Sequence, residues 1–209
     1  MESLSDKKKR AAVILRRLKK AYPDAGIALT FTTPAQLLCA VVLSAQTTDA
    51  QVNRVTEPLF KKYKTVTDFA NADKKVFTKE VSSVNFFNNK AKNILAAART
   101  IRDDYHGKMP DEMEALVQLP GVGRKTANIL LWHIYGKARG VVVDTHVRRV
   151  ANKLGLTAHQ DPVKIEKDLM ELFPQKDWGM LGHYFQTYGR TASPARGKGK
   201  MEDCLAGLY

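Results

Sequence analysis

The stretch Leu116-Val117-Gln118-Leu119-Pro120-Gly121-Val122-Gly123-Arg124-Lys125-Thr126-Ala127 joins two apolar helical patterns through a turn with two glycines and ends on paired cations. The layout is a helix-hairpin-helix. Glycines at 121 and 123 can take backbone conformations closed to other residues and leave no side chain between the peptide and a ligand. Backbone N–H groups at the start of the second helix then point outward, where the positive end of the helix dipole suits an anion such as a DNA phosphate. Such a grip anchors a nucleic-acid backbone and reads no bases. Lys125, beside Arg124, adds an amine that can contact a phosphate or, when uncharged, attack as a nucleophile. Further on, Val143-Asp144-Thr145-His146 puts a carboxylate where a helix begins. It can cap that helix or oppose positive charge developing on a substrate. By residue type alone, phosphate contact and helix cap are the simpler roles.

The rest of the chain suits a polyanionic partner. In 209 residues, 34 Lys+Arg face 21 Asp+Glu, a formal net charge of +13. Cations that neutralise phosphates release condensed counterions, so ribosomal, membrane-surface and DNA-repair proteins share this signature. Part of the charge is local: Lys7-Lys8-Lys9-Arg10, Arg16-Arg17 and Lys19-Lys20 flank one helical pattern, where a solvated face explains them equally well. Hydrophobic residues make up 44%, enough for a globular chain. The apolar runs Leu37–Leu43 and Val141–Val143 are too short to span a bilayer, and the first residues lack the apolar stretch of a signal peptide. A cytoplasmic protein is expected, associated with the nucleoid if bacterial. Cys39 and Cys204 exclude a disulfide framework, and no metal site is expected.

Helices must position these groups. Ala12, Leu15 and Leu18 predict a helix over 6–21, and Thr33-Pro34 a capped helix to Leu43. Thr48 opens a third through Val52, Val55 and Leu59, with a kink or split expected at Pro58. A long helix is expected from Asn88 to Gly107, a short one from Asp111 to Gln118, and another from Arg124 to Tyr135. Val141–Val143 is extended by propensity but cannot form a sheet alone. Asp144 caps a helix ending at Gly155, Asp161-Pro162 opens one through Leu172, and a last one runs from Trp178 to Tyr188. The tail from Gly189 is expected to be loosely ordered. The fold class is all-α.

The hairpin together with Val143-Asp144-Thr145-His146, Leu43-Ser44-Ala45-Gln46-Thr47-Thr48-Asp49 and Asn88-Asn89-Lys90-Ala91-Lys92-Asn93-Ile94 resembles the helix-hairpin-helix DNA glycosylase superfamily, endonuclease III branch, over about residues 10–190. The resemblance implies two helical lobes with a DNA-binding cleft between them. One is a six-helix barrel, 27–139, containing the hairpin at about 111–136. The other joins the N-terminal helix, 1–26, to the terminal lobe, 140–209.

The resemblance also implies roles. Lys125 falls on the family's lysine nucleophile and Asp144 on its essential aspartate, for a bifunctional glycosylase/AP lyase that removes oxidised pyrimidines and nicks the strand by β-elimination. The expected partner is double-stranded DNA with damaged bases or abasic sites, bound by a monomer. Gln46 is placed to fill the space left by an extruded base, and Phe86, the favoured one of Phe86 and Phe87, to stack on the orphan base or wedge a base step, with one of the two as ordinary packing. Leu119, Gly121, Val122, Gly123 and Arg124 are placed on the DNA backbone, and His146 either on a phosphate or packed locally. The alternatives are a non-catalytic DNA-binding protein or a glycosylase for another base such as oxoguanine. Most relatives carry four cysteines for a [4Fe–4S] cluster after the counterpart of Gly189-Arg190. Here only Cys204 follows, and Ser193 stands where the first ligand would be. No iron–sulfur cluster is expected, with Arg190, Arg196, Lys198 and Lys200 keeping the phosphate-facing charge.

Overall fold

A computed structural model describes residues 2–197 and 199–209, so Lys198 lies outside the described residues. The chain packs as two compact units, Met1–Ile27 with Gly136–Tyr209, and Ala28–Tyr135. The first unit opens with α1 (Leu4–Ala21). The second holds α2 (Pro34–Ser44), α3 (Asp49–Lys62), α4 (Val66–Ala70), α5 (Lys74–Glu80), α6 (Phe87–Asp104), α7 (Met113–Leu116) and α8 (Arg124–Tyr135). The chain then returns to the first unit for α9 (Thr145–Lys153), α10 (Pro162–Leu172) and α11 (Gln175–Thr191). Among the described residues every regular element is a helix; the fold is all-α, and no helix is long and apolar enough to cross a membrane.

In the Ala28–Tyr135 unit, α2 is buried from Ala35 to Leu43, and α3, α6 and α8 pack around it. Its start is the one the sequence dictates: the Thr33 hydroxyl accepts the Gln36 N–H, with Pro34 at the first helical position. The expected split at Pro58 does not occur, since α3 runs unbroken. The N–H that Pro58 lacks would have bonded the carbonyl of Arg54, an exposed residue whose carbonyl water can serve. Two helices have no counterpart in the sequence reading. Five-residue α4 and seven-residue α5 are too short to show a period. A Thr65–Asp68 capping box starts α4, and Phe69 and Phe77 pack edge to face at 6.0 Å beside Tyr63. The helix expected over 111–118 shrinks to α7, because the Leu119 N–H turns back to the Leu116 carbonyl (3.1 Å) and closes the hairpin.

In the other unit, Ala11, Ile14, Leu15 and Leu18 of α1 share a core with Val150, Leu169, Leu181, Phe185 and Tyr188. The tail is tied down rather than loose. Leu205 is wholly buried, and Asp203 accepts hydrogen bonds from Tyr188 Oη (2.8 Å), Tyr209 Oη (2.6 Å) and the Leu205 N–H (2.9 Å). Lys153 Nζ lies 3.6 Å from the same carboxylate and donates to Ser193 Oγ at 3.0 Å. Arg17 donates to the carbonyls of Cys204 and Ala206, and Arg10 to those of Leu154 and Leu208. Burial alone would raise the Asp203 carboxyl, but its hydrogen bonds and Lys153 hold it below the usual carboxylate value.

The tail's anchorage therefore depends on that charge. A folded-state value below the unfolded one gives support that is complete above the ordinary carboxylate range and is lost as pH falls through the lower folded value. Asp203→Ala should free the segment after Ala192 at a cost of about 2 kcal/mol, read as faster amide exchange and proteolysis there. Acidification of the unchanged protein should loosen the same segment.

Candidate functional site

The hairpin between α7 and α8 is set by one close contact. Gly121 has φ +79°, and a Cβ there would lie 2.8 Å from Asn93 Cβ of α6. Any side chain would meet both strain and a clash. Gly123 differs from the sequence expectation: its φ is not positive and nothing lies within 4 Å of where its Cβ would be. Its glycine character serves open surface rather than backbone shape. The Gly123 carbonyl accepts the Ala127 N–H at 2.9 Å, the first bond of α8. Leu119 and Val122 are buried, and the Val122 N–H is used within the turn on the Leu119 carbonyl (3.0 Å). Their side chains hold the hairpin from inside. Gly123, Arg124 and Lys125 are exposed at the start of α8.

Two more expected residues share the unit. Gln46 (φ +54°) and Phe86 (φ +56°) are non-glycine residues in the left-handed region, both exposed, Phe86 to 62%. Phe87 is half-buried, the packing role expected for one of the pair. Asn85 joins the two loops: its Nδ2 donates to the Gln46 carbonyl (2.5 Å) and its N–H to Thr47 Oγ1 (3.3 Å). Lys90, buried to 6% exposure, donates to the Leu43 carbonyl, the Ala45 carbonyl and Thr47 Oγ1. Burial pushes its ammonium below the usual lysine value. Neither Asn85 nor Lys90 was picked out from sequence. The signals were the place of Lys90 in the Asn88–Ile94 motif and a lysine at a position of α6 that otherwise reads as core.

Asp144 and His146 belong to the other unit. Asp144 is the N-cap of α9, extended at φ −103° and ψ −173°. Its Oδ1 accepts the Val147 N–H (2.8 Å) and its Oδ2 accepts Gln186 Nε2 of α11 (2.6 Å). A Cβ at Gly182, one turn before Gln186, would lie 2.9 Å from the Val142 carbonyl, so the segment leading to Asp144 lies against the α11 backbone. Gln186 was invisible in sequence, because nothing there tells which face of the last helix meets Val141–Val143. His146 is half-buried, with Nδ1 buried and without a hydrogen-bond partner. Exposed Arg190, Arg196 and Lys200 lie in the same unit.

Residues 39–175 match the HhH-GPD superfamily of base excision DNA repair proteins. The chain belongs to this family. An endonuclease III of Synechocystis sp. is 46% identical over 196 residues, 94% of this chain and 90% of the relative. Two solved structures, a non-covalent endonuclease III–DNA complex and a trapped endonuclease III–DNA covalent intermediate, each reach a TM-score of 0.86 at 37% identity, covering 95% of this chain and 91% of theirs.

A cubane cluster takes four cysteine thiolates. The chain has two cysteines: Cys39 is buried in α2, its thiol pushed up by burial, and Cys204 lies in the tail of the other unit. That donor set does not fit the group.

The two glycines should part ways on substitution. Gly121→Ala should lower stability by about 1–2 kcal/mol from backbone strain alone. Gly123→Ala should leave the melting temperature unchanged or slightly higher while weakening binding to all duplex sequences alike. Calorimetry and anisotropy on undamaged duplexes read both; a loss confined to damaged DNA would place the hairpin in lesion recognition instead.

Proposed function

We propose that Lys125 and Asp144 are the catalytic pair of a DNA N-glycosylase/AP lyase acting on oxidised pyrimidines. Its place in base excision repair as a glycosylase and lyase follows from the family and its endonuclease III members. The observation that carries the assignment of the nucleophile is the exposed amine in the first turn of α8, directly after the hairpin.

Lys125 Nζ, as the free amine, attacks the sugar C1′; the N-glycosidic bond breaks and its electron pair leaves with the base, which takes up a proton. The sugar ring opens to a Schiff base on Lys125. Asp144, held by Val147 and Gln186, opposes the positive charge developing on the sugar and takes part in moving the amine's proton. The iminium acidifies C2′, and removal of that proton expels the 3′ phosphate and nicks the strand. Water then releases the enzyme. C1′ is reached only when the nucleotide leaves the stack, at a cost of a few kcal/mol that damage lowers. Gln46 fills the vacated space and Phe86 wedges the neighbouring step. The exposed backbone of Gly121 and Gly123, with Arg124, anchors one phosphate, while buried Leu119 and Val122, whose N–H groups are used within the turn, support the hairpin from inside. His146 lies close to the aspartate in sequence and serves its packing. No step involves an iron–sulfur cluster.

Lys125→Gln should abolish base release and borohydride trapping on abasic-site duplex while retaining most duplex affinity. Asp144→Asn should lower kcat by at least about a hundredfold with binding kept. Normal base release by either variant would remove that residue from the chemistry. Absence of any adduct in the unchanged protein would favour a binding module. Parallel duplexes carrying thymine glycol, uracil or oxoguanine rank the substrates, with thymine glycol expected first.

Anaerobically purified protein should be colourless, active and free of iron and acid-labile sulfide. Stoichiometric iron would require ligands shared between chains.

A further inference from the structure

Buried lysines need a reason, and Lys90 has an unusually complete set of partners. Its ammonium has three N–H donors. They find three acceptors: the Leu43 carbonyl at 2.7 Å, the Ala45 carbonyl at 2.5 Å and Thr47 Oγ1 at 3.1 Å. These bracket Gln46 on both sides, at the carbonyl-rich end of α2 where a positive charge is favoured. A left-handed conformation at a residue such as Gln46 costs on the order of 1 kcal/mol and persists only where its surroundings impose it. Lys90 imposes it from below, and Asn85 from the side through the Gln46 carbonyl at 2.5 Å.

The other prong is tied to the same loop through Asn85. Phe86 is the N-cap of α6 with φ +56°, and its carbonyl accepts the Lys90 main-chain N–H at 3.1 Å, the first bond of that helix. Asn85, next to Phe86, closes the loop by donating its N–H to Thr47 Oγ1, which Lys90 Nζ also contacts. The two exposed residues, both with left-handed backbones, are therefore joined through Asn85 and Thr47, with Lys90 Nζ as the charged centre on the Gln46 side.

We propose that Lys90 is a positioning residue that, with Asn85, holds Gln46 and Phe86 as one two-pronged wedge for opening duplex DNA. The proposal rests on the assignment of Gln46 and Phe86 to the space left by the extruded nucleotide. Lys90 touches no substrate; it acts through these two side chains. Preorganisation matters here because insertion must offset unstacking, and a loop that ordered only on contact would lose that advantage.

The test compares two substrates. A duplex abasic site requires the wedge; a single-stranded oligonucleotide carrying the same site does not. Lys90→Met should slow nicking of the duplex site about tenfold or more while leaving the single strand nicked within about twofold of the unchanged protein. Because Lys90→Met removes a buried charge and can fail to fold, Asn85→Ala, at an exposed residue, is measured in parallel and should show the same duplex-selective loss. A 2-aminopurine beside the site should brighten less in both variants. Adding Gln46→Ala to Asn85→Ala should cost less than the sum of the single changes. Equal losses on both substrates, or none on the duplex, would overturn the proposal. Gln46→Ala and Phe86→Ala separate the two layers. If they lose duplex nicking and Asn85→Ala does not, positioning fails alone; if neither does, the wedge reading fails first.

Discussion

The proposed DNA-facing surface of the Ala28–Tyr135 unit depends on how closely the first two turns of α6 approach two loops at once. Phe86 caps the helix, Lys90 grips the loop of Gln46, and Asn93 packs where Gly121 turns the hairpin, at spacings of four and three residues that share one helical stripe. Each contact is of a different kind: a backbone bond, a buried ammonium and a van der Waals contact too tight for a side chain on the hairpin. Together they refer the Gln46 loop and the hairpin to one element, so a shift of α6 moves both. Lys125 follows Gly121 by four residues. In the proposed chemistry, an amine that must reach one sugar carbon gains from an anchor so near to it, since small misplacements weigh heavily on attack.

The other unit meets a different demand. Its tail has too few thiolates for a cubane cluster, and a carboxylate is the hub of its contacts. Asp203 gathers two phenols, an amide and Lys153, while Leu205 enters the apolar core. That hub makes the segment sensitive to acid.

Much of this was legible in the sequence, for reasons that can be named. Caps are local chemistry, so Thr33, Thr48, Asp144 and Asp161 marked helix starts where the structure has them. The hairpin was legible because two glycines, a proline and two cations fall within six residues. What stayed hidden depends on tertiary approach. Gly121 and Gly123 look alike in sequence, yet only one is conformationally required. Gln186 and Lys90 gain their roles from helices distant in sequence, and α4 and α5 are held by aromatic packing rather than period. The tail misled because glycine, lysine and arginine suggest disorder, while Asp203, Leu205 and Tyr209 supply the anchors.

The central claim is that the amine of Lys125 forms the covalent link to the sugar. Reduction of the unchanged protein with borohydride on an abasic-site duplex, followed by nuclease and protease digestion and tandem mass spectrometry, locates that link on the chain. The account predicts a reduced sugar remnant on Lys125 and on no other amine. A remnant on another lysine or on the N-terminal amine, with Lys125 unmodified, would contradict it.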